Sequence, residues 1–230
     1  MRWLILVLLL MPTSYAWLGT GHENIVSSVY YQFDNQTQNT LNLSEMKRGS
    51  TDPDLVFHDT RLHHFPPSYE RAVYWLSIAN QSFQDKDFNN ASYAFGVASH
   101  YISDSFAAPH TVSGEDPNEH SEYERVANSF IISDCKTLEG DLFSILSNHT
   151  KPEEWQKWRE TRDKSLIYNN YKSAFQAVNS KANIFTNECK ELITIQNKKT
   201  PLFLNKEVKL FLILLVGFFI SGILRHTSRS

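Results

Sequence analysis

Cysteine, glycine and proline are scarce in this chain of 230 residues, which has two cysteines, eight glycines and eight prolines. Two cysteines that are far apart in the sequence cannot form a zinc-thiolate motif. Few glycines and prolines favour helices over short strands joined by turns. The chain also lacks an excess of positive charge, because its formal net charge is −3. That charge supplies no overall basic field for binding nucleic acid.

Long apolar runs stand at the two ends of the chain. Residues 1–16 have the basic start, the short apolar stretch and the small-residue end of a secretory signal peptide, so we expect Trp17 to be the mature N-terminus. Residues 208–225 predict a C-terminal transmembrane anchor, followed by a short basic tail at 226–230. The apolar core of this anchor is shorter than the roughly 20 residues usual for a spanning helix. A buried terminal helix is therefore the alternative.

The segment between these ends, residues 17–200, has an ordinary size for one compact domain. Because the basic tail is expected inside the cell, this domain is expected on the extracytoplasmic face of the cell membrane. Cys135 and Cys189 fit one disulfide in such an oxidising compartment.

Helical periodicity runs through most of the domain. The longest apolar pattern begins near Asp87 or Asn89 and ends at Ala107-Ala108-Pro109. It is apolar nearly all round and therefore predicts a central helix. Other helices are predicted at 69–83, 120–146 and 171–196. Together these patterns predict an all-α fold.

Five potential metal ligands lie within 25 residues, namely His100, Asp104, His110, His120 and Glu124. Two residues four apart share one face of a helix, so His100 with Asp104, and His120 with Glu124, can each present two donor atoms to one ion. One such histidine alone is more often packed in a core. The joint pattern favours a metal site, and mixed histidine and carboxylate donors suit zinc at hydrolytic centres.

A second group of candidate ligands lies in residues 46–65, which are rich in charge and turn formers and are predicted to form a loop. Its candidates are Asp52, Asp54, His58, Asp59, His63 and His64. Loops on a rigid scaffold often carry ligands.

The pattern His100-x3-Asp104-x5-His110, followed by His120-x3-Glu124, resembles the zinc-dependent phospholipase C and single-strand nuclease superfamily. The resemblance implies an all-helical domain that binds up to three zinc ions. It also implies that a mature N-terminal tryptophan is a ligand, and the predicted cleavage supplies Trp17 in that position.

The resemblance implies a full set of metal ligands in this chain. Asp54, His64, His100 and Asp104 would hold one ion; His110, His120 and Glu124 a second; Trp17, His22 and Asp104 a third. Two positions stay open, because Asp52 competes with Asp54 and His63 competes with His64. We prefer Asp54 and His64, since Pro53-Asp54 and His64-Phe65 match pairs that are usual in the family. Asp54 would also be the general base for a water that attacks phosphorus.

The two branches of the superfamily differ in substrate. The short spacing from Trp17 to His22 is typical of the nucleases, whereas Glu124 is typical of the phospholipases. We predict a zinc-dependent phosphodiester hydrolase of phospholipase C type that acts on phospholipids, with membrane anchoring as further support. One alternative is a single-strand-preferring nuclease or nucleotidase on the same metal core, for which nucleic acid would be the substrate. Another is a non-catalytic, zinc-stabilised surface module.

Overall fold

The computed structural model describes residues 20–149 and 151–186, which belong to one compact unit. These residues contain helices and no strand, so the all-α prediction is confirmed for this part of the chain. None of the described helices is long and apolar enough to cross a membrane. The signal peptide with Trp17, the cysteine Cys189 and the predicted anchor lie outside the described residues. The signal cleavage, the disulfide and the anchor therefore stay predictions.

Nine α-helices occur in the described residues: α1 (Thr20–Tyr30), α2 (Asn35–Thr40), α3 (Leu43–Asp52), α4 (Pro67–Gln84), α5 (Phe88–Asp104), α6 (Pro117–Ala127), α7 (Leu142–His149), α8 (Pro152–Thr161) and α9 (Lys164–Lys181). A π-helical turn spans Pro53–Phe57, and 3₁₀ turns span Thr60–Leu62, Ala108–Thr111 and Ala182–Ile184.

Side-chain caps fix where several of these helices begin. The Asn42 side chain accepts hydrogen bonds from the first amides of α3. Asp87, Asp116 and Asp163 do the same for α5, α6 and α9. Each cap satisfies amide groups that have no partner inside the helix and is worth about 1 kcal/mol.

Helix α5 is the centre of the fold. All of its residues from Ala91 to Asp104 are buried except Tyr93, and the helix packs mainly against α3 and α4. The predicted central helix is therefore confirmed. Its buried C-terminal end delivers His100 and Asp104 into the interior, where packing holds their side chains in place.

Helices α3 and α5 cross with glycine on both sides. A Cβ atom at Gly49 would lie 2.1 Å from the carbonyl oxygen of Tyr93, and one at Gly96 would lie 2.1 Å from the carbonyl oxygen of Met46. Only glycine permits this approach of two backbones. The crossing brings the carbonyl oxygen of Ser50 within 2.8 Å of His100 Nδ1, so it helps to build the site described below.

Two predictions of local structure were wrong. Residues 46–52 were expected in a loop but belong to α3, because Asn42 caps that helix and Met46 is buried. The helix expected over residues 120–146 is interrupted between α6 and α7. In this interruption, Gln32 Nε2 donates to the carbonyl oxygen of Asp134 at 2.8 Å, so a side chain of another element satisfies the backbone without a helix.

The helix expected over residues 171–196 begins earlier than predicted, at Lys164, where Asp163 supplies the cap. It ends at Lys181 and passes into the turn Ala182–Ile184. The rest of the predicted range, from residue 187, lies outside the described residues.

Candidate metal centre

Five histidine rings form a continuous row in the interior of the domain. Adjacent ring centroids are 4.0 Å apart for His22 and His100, 4.7 Å for His100 and His63, 6.1 Å for His63 and His110, and 4.8 Å for His110 and His120. His22 lies on α1, His100 on α5 and His120 on α6. His63 follows the 3₁₀ turn Thr60–Leu62, and His110 lies in the 3₁₀ turn after α5. Neighbouring imidazoles would repel one another if all were protonated, so the row needs negative charge beside it.

Asp104 supplies that charge at the buried end of the row. Its carboxylate oxygens lie 2.8 Å from His63 Nδ1, 3.2 Å from His100 Nε2 and 3.3 Å from His22 Nε2. Burial would raise the pKa of Asp104, but the charges of His100, His110 and His22 outweigh burial and hold this pKa well below its usual range. Asp104 is therefore a carboxylate at the centre of the histidines.

The same balance acts on the histidines around Asp104. Burial lowers the pKa of His22, and the charge of His100 lowers it further. Burial also disfavours protonated His100, but Asp104 outweighs burial and raises the pKa of His100 to about 9. The pKa values of the two adjacent rings His22 and His100 are thus shifted in opposite directions.

Asp54 approaches the row from the π-helical turn that follows α3. Its Oδ1 lies 3.6 Å from His63 Nδ1 and 3.8 Å from His100 Nε2. The Asp54 side chain is 18% exposed, against 2% for Asp104. The alternative candidate, Asp52, points elsewhere, since its Oδ2 accepts a hydrogen bond from the Tyr93 hydroxyl at 2.9 Å.

A second cluster forms at the other end of the row. Glu124 Oε1 lies 2.6 Å from His120 Nε2 and 3.5 Å from His110 Nε2. Burial would raise the pKa of Glu124, but hydrogen bonds and charge from His110 and His120 lower it. Burial opposes protonation of His120, and Glu124 reverses that effect and raises the pKa of His120. These three residues are the ones that the resemblance assigned to a single ion.

The two neighbouring histidines His63 and His64 lie in different surroundings. His63 is buried within the row. His64 donates from Nδ1 to the carbonyl oxygen of His110 at 2.5 Å and lines a cavity of about 470 Å³ with Phe65, His110 and Glu115. The described structure thus places His63, the alternative of the pair, among the predicted ligands beside Asp104.

Most histidines of the row are held by a hydrogen bond at the ring nitrogen that faces away from the cluster. His100 Nδ1 donates to the carbonyl oxygen of Ser50 at 2.8 Å, and His22 Nδ1 donates to Ser103 Oγ at 2.9 Å. His120 Nδ1 donates to Glu115 Oε1 at 3.2 Å. Such partners fix the ring and turn the other nitrogen toward the carboxylates of the cluster, which is the orientation that a metal ligand needs.

The donor set fits zinc. Asp104 Oδ1 and His110 Nε2 are buried, and within the described residues their contacts with His22 Nε2 at 3.3 Å and Glu124 Oε1 at 3.5 Å are longer than a normal hydrogen bond. A metal ion would give both atoms a closer partner. Three groups bring donor atoms within 4.8 Å of one another: His22, Asp54 and His100; His63, Asp104 and His110; His110, His120 and Glu124. Imidazole nitrogen and carboxylate oxygen are ligands that zinc prefers.

A buried row of histidines with interleaved carboxylates, held by the described helices, is an arrangement that could bind metal ions. The family model described as zinc dependent phospholipase C matches residues 21–191, and the chain therefore belongs to this family. The resemblance stated from the ligand spacing is confirmed. Neither the curated proteins nor the solved structures gave a match. The family implies zinc, and the number of ions stays a prediction because Trp17 lies outside the described residues.

Sequence reasoning missed four residues that contact the candidate ligands or their partners, namely Ser50, Tyr101, Ser103 and Glu115. It named Asp59 only as a candidate ligand, although its position four residues before His63 was a local signal for its contact with that ring. The contact of Ser50 with His100 depends on the crossing of α3 and α5 and has no signature in the local sequence.

Proposed function

We propose that this chain is a zinc-dependent phosphodiester hydrolase that cleaves phospholipids in the manner of phospholipase C. Membership of the zinc-dependent phospholipase C family and the zinc-compatible donor set support the class of reaction. The observation that favours a lipid substrate is the π-helical turn that carries Asp54, because the next two residues of this turn are exposed and apolar.

Leu55 is 50% exposed and Val56 is 60% exposed, directly after the carboxylate of Asp54. An exposed apolar pair beside a reactive centre indicates contact with an apolar partner. A bilayer surface offers acyl chains next to the phosphodiester, so one short turn would touch both parts of the substrate. The backbone of a nucleic acid offers no comparable apolar surface.

We propose that the zinc ligands are Trp17, His22, Asp54, His63, His100, Asp104, His110, His120 and Glu124. His63 takes the place that the resemblance gave to His64, because His63 lies with the other donors. When bound, zinc lowers the pKa of a water toward neutrality and neutralises charge on the phosphate.

Asp54 is the residue that we propose as general base. It is the most exposed of the three carboxylates that we propose as ligands, so a water can reach it from the surface. Asp54 takes the proton of this water as the water oxygen bonds to phosphorus. The bond from phosphorus to the glycerol oxygen breaks, and this oxygen takes a proton from solvent while Asp54 returns its proton to solvent. Diacylglycerol and the phosphorylated headgroup are the two products. The cavity beside His64 and Glu115 provides space for that headgroup.

We further propose that the enzyme acts on the extracytoplasmic side of the cell membrane. Removal of residues 1–16 would give the Trp17 terminus, and residues 208–225 would anchor the domain. The Cys135–Cys189 disulfide would form in the same compartment. These features fit a substrate that lies in the membrane itself, because tethering raises the effective concentration of the site at the bilayer.

The test uses the mature chain from Trp17 in detergent, loaded with zinc, and phosphatidylcholine vesicles. We expect release of diacylglycerol and a phosphomonoester, and no release by an Asp54→Asn variant. Leu55→Ser with Val56→Ser should raise KM for vesicles more than for a short-chain soluble phospholipid. A zinc-loaded chain that leaves both lipids intact would overturn the lipid substrate.

A second candidate is a single-strand-preferring nuclease on the same centre. Phe65 lines the cavity, and its ring centroid lies 5.3 Å from that of Phe143, whose side chain is about half exposed. Exposed aromatic rings can stack on bases. Single-stranded DNA offered to the same preparation separates the two substrates. Hydrolysis of neither would favour the zinc-stabilised surface module.

A further inference from the structure

Asp59 stands behind His63, on the side away from the other ligands. Asp59 Oδ1 accepts a hydrogen bond from His63 Nε2 at 3.1 Å. The opposite ring nitrogen, His63 Nδ1, lies 2.8 Å from Asp104. The imidazole of His63 is thus held between two carboxylates, one inside the metal cluster and one outside it.

Asp59 is itself fixed by two other helices. Its Oδ2 accepts a hydrogen bond from the Tyr101 hydroxyl of α5 at 2.7 Å and lies 3.5 Å from Arg71 Nη2 of α4. The Arg71 guanidinium also lies over the Tyr101 ring, at 5.6 Å from its centroid. These contacts tie the short segment between the π-helical turn and α4 to the central helix.

Within the part of the chain that the structure describes, His64 has no such support from a carboxylate. Its ring is turned toward the cavity and donates to a backbone carbonyl oxygen. The sequence places two histidines side by side, and only one of them has an acidic residue four positions before it that reaches its ring. Asp59 is therefore the feature that distinguishes the two.

We propose that Asp59 is a positioning residue that directs Nδ1 of His63 toward zinc and so makes His63, rather than His64, the ligand at this position. The inference deepens the proposed function and rests on its zinc centre, but not on the nature of its substrate. A carboxylate that accepts from the outer nitrogen fixes the tautomer and the orientation of a ligating histidine.

The expected loss of zinc affinity can be judged from other metal-bound histidines whose second ring nitrogen has a hydrogen-bond partner. Their removal usually weakens metal affinity by about 10–100-fold. Tyr101→Phe removes one hydrogen bond to Asp59 and leaves the contact with His63, so it should have a smaller effect than Asp59→Ala. Asp59→Asn keeps the shape and an accepting oxygen but loses the charge, and should lie between the two.

The experiment measures zinc binding of the mature chain by competition with a chromophoric chelator, without any substrate. Asp59→Ala should lose zinc at a roughly 10–100-fold lower chelator concentration than the parent. His63→Ala should lose it at least as easily, whereas His64→Ala should stay close to the parent. Thermal unfolding of the zinc-free proteins is recorded in parallel, and Asp59→Ala should unfold within a few degrees of the parent.

Three outcomes would overturn the inference. The first is an Asp59→Ala variant that holds zinc as tightly as the parent. The second is a loss of zinc in His64→Ala with none in His63→Ala. The third is a fall in the stability of zinc-free Asp59→Ala that accounts for its loss of zinc, since Asp59 would then support only the fold. A parent that binds zinc but cleaves no phospholipid would overturn the proposed substrate and leave this inference standing.

Discussion

The two ends of the histidine row are built in different ways. The inner half consists of His22, His63, His100 and Asp104, all almost fully buried and contributed by α1, α5 and the segment before α4. The outer half consists of His110, His120 and Glu124, from α6 and the 3₁₀ turn after α5. Its histidine side chains are 9% and 13% exposed. Long-range packing brings His22 and His63 to the His100–Asp104 pair of the inner half, whereas mainly local spacing builds the outer half.

This difference has a consequence for sensitivity to mutation. The inner half depends on the crossing of α3 and α5, so a change far from any ligand can disturb it. The outer half depends on one helical turn of α6 and on the contact of that turn with His110. Substitutions should therefore affect folding and zinc binding together in the inner half, but zinc binding more than folding in the outer half.

The largest effect is expected for Asp104→Ala. This change removes the carboxylate that contacts His22, His63 and His100, and leaves the buried rings without their counter-charge. Zinc should be lost, and phospholipid hydrolysis should fall by roughly 1,000-fold or more. Elemental mass spectrometry and the hydrolysis assay measure the two quantities. Asp85→Ala, at an exposed position, is the control, and zinc retained at the parent level in Asp104→Ala would contradict the prediction.

The next effect is expected for Gly96→Ala, which changes no ligand. The new methyl group meets the carbonyl oxygen of Met46, and the backbones must separate. The free energy of unfolding should fall by about 3 kcal/mol, and zinc affinity should fall with it. Urea unfolding of the zinc-free protein measures the first quantity. Gly114→Ala is the matched control, because nothing lies near its Cβ position and its positive φ costs only about 1 kcal/mol. Equal losses in both variants would disprove the steric explanation.

His120→Ala tests the outer half. It removes one ligand of the cluster with His110 and Glu124, so part of the zinc should be lost while the inner half keeps its metal. The free energy of unfolding of the zinc-free protein should change by about 1 kcal/mol, because this side chain is partly exposed. Zinc content per chain, measured beside His100→Ala, checks the result. Complete loss of zinc would show that the two halves bind metal as one unit.

The smallest effect is expected at the surface beside the outer half. Arg159 Nε donates to Glu119 Oε2 at 2.6 Å and links α8 to α6, but the arginine side chain is 45% exposed. Arg159→Ala should cost less than about 1 kcal/mol and leave hydrolysis unchanged. Thermal unfolding at low and high salt measures this cost. A larger loss, or a loss of zinc, would mean that the outer half depends on packing from α8.

The sequence predicted part of the cluster because four of the candidate ligands form two pairs, each pair within a single helix. His100 with Asp104, and His120 with Glu124, follow from helical spacing alone, and the structure brings each pair together. The all-α fold and the central position of α5 follow from its apolar pattern. Local rules were sufficient where the contact is local.

The remainder depends on tertiary contacts. The side chains of two consecutive residues point in different directions. The sequence His63-His64 therefore does not show which of the two imidazole rings lies among the other candidate ligands. The structure shows that Asp59 and the Tyr101 hydroxyl hold the first ring. The interruption between α6 and α7 also depends on tertiary contacts. Side chains from distant elements, such as Gln32, donate hydrogen bonds to backbone carbonyl oxygens of this segment.

The close crossing of α3 and α5 at Gly49 and Gly96 limits how this protein can evolve. In both directions the atom that excludes a side chain is a backbone carbonyl oxygen, which no substitution removes. A harmful change at either glycine therefore has no simple compensating partner on the opposite helix. A selection for revertants of Gly96→Ala should return mainly restored glycine at position 96, whereas defects in side-chain packing elsewhere in the core should also be rescued by changes in neighbouring residues.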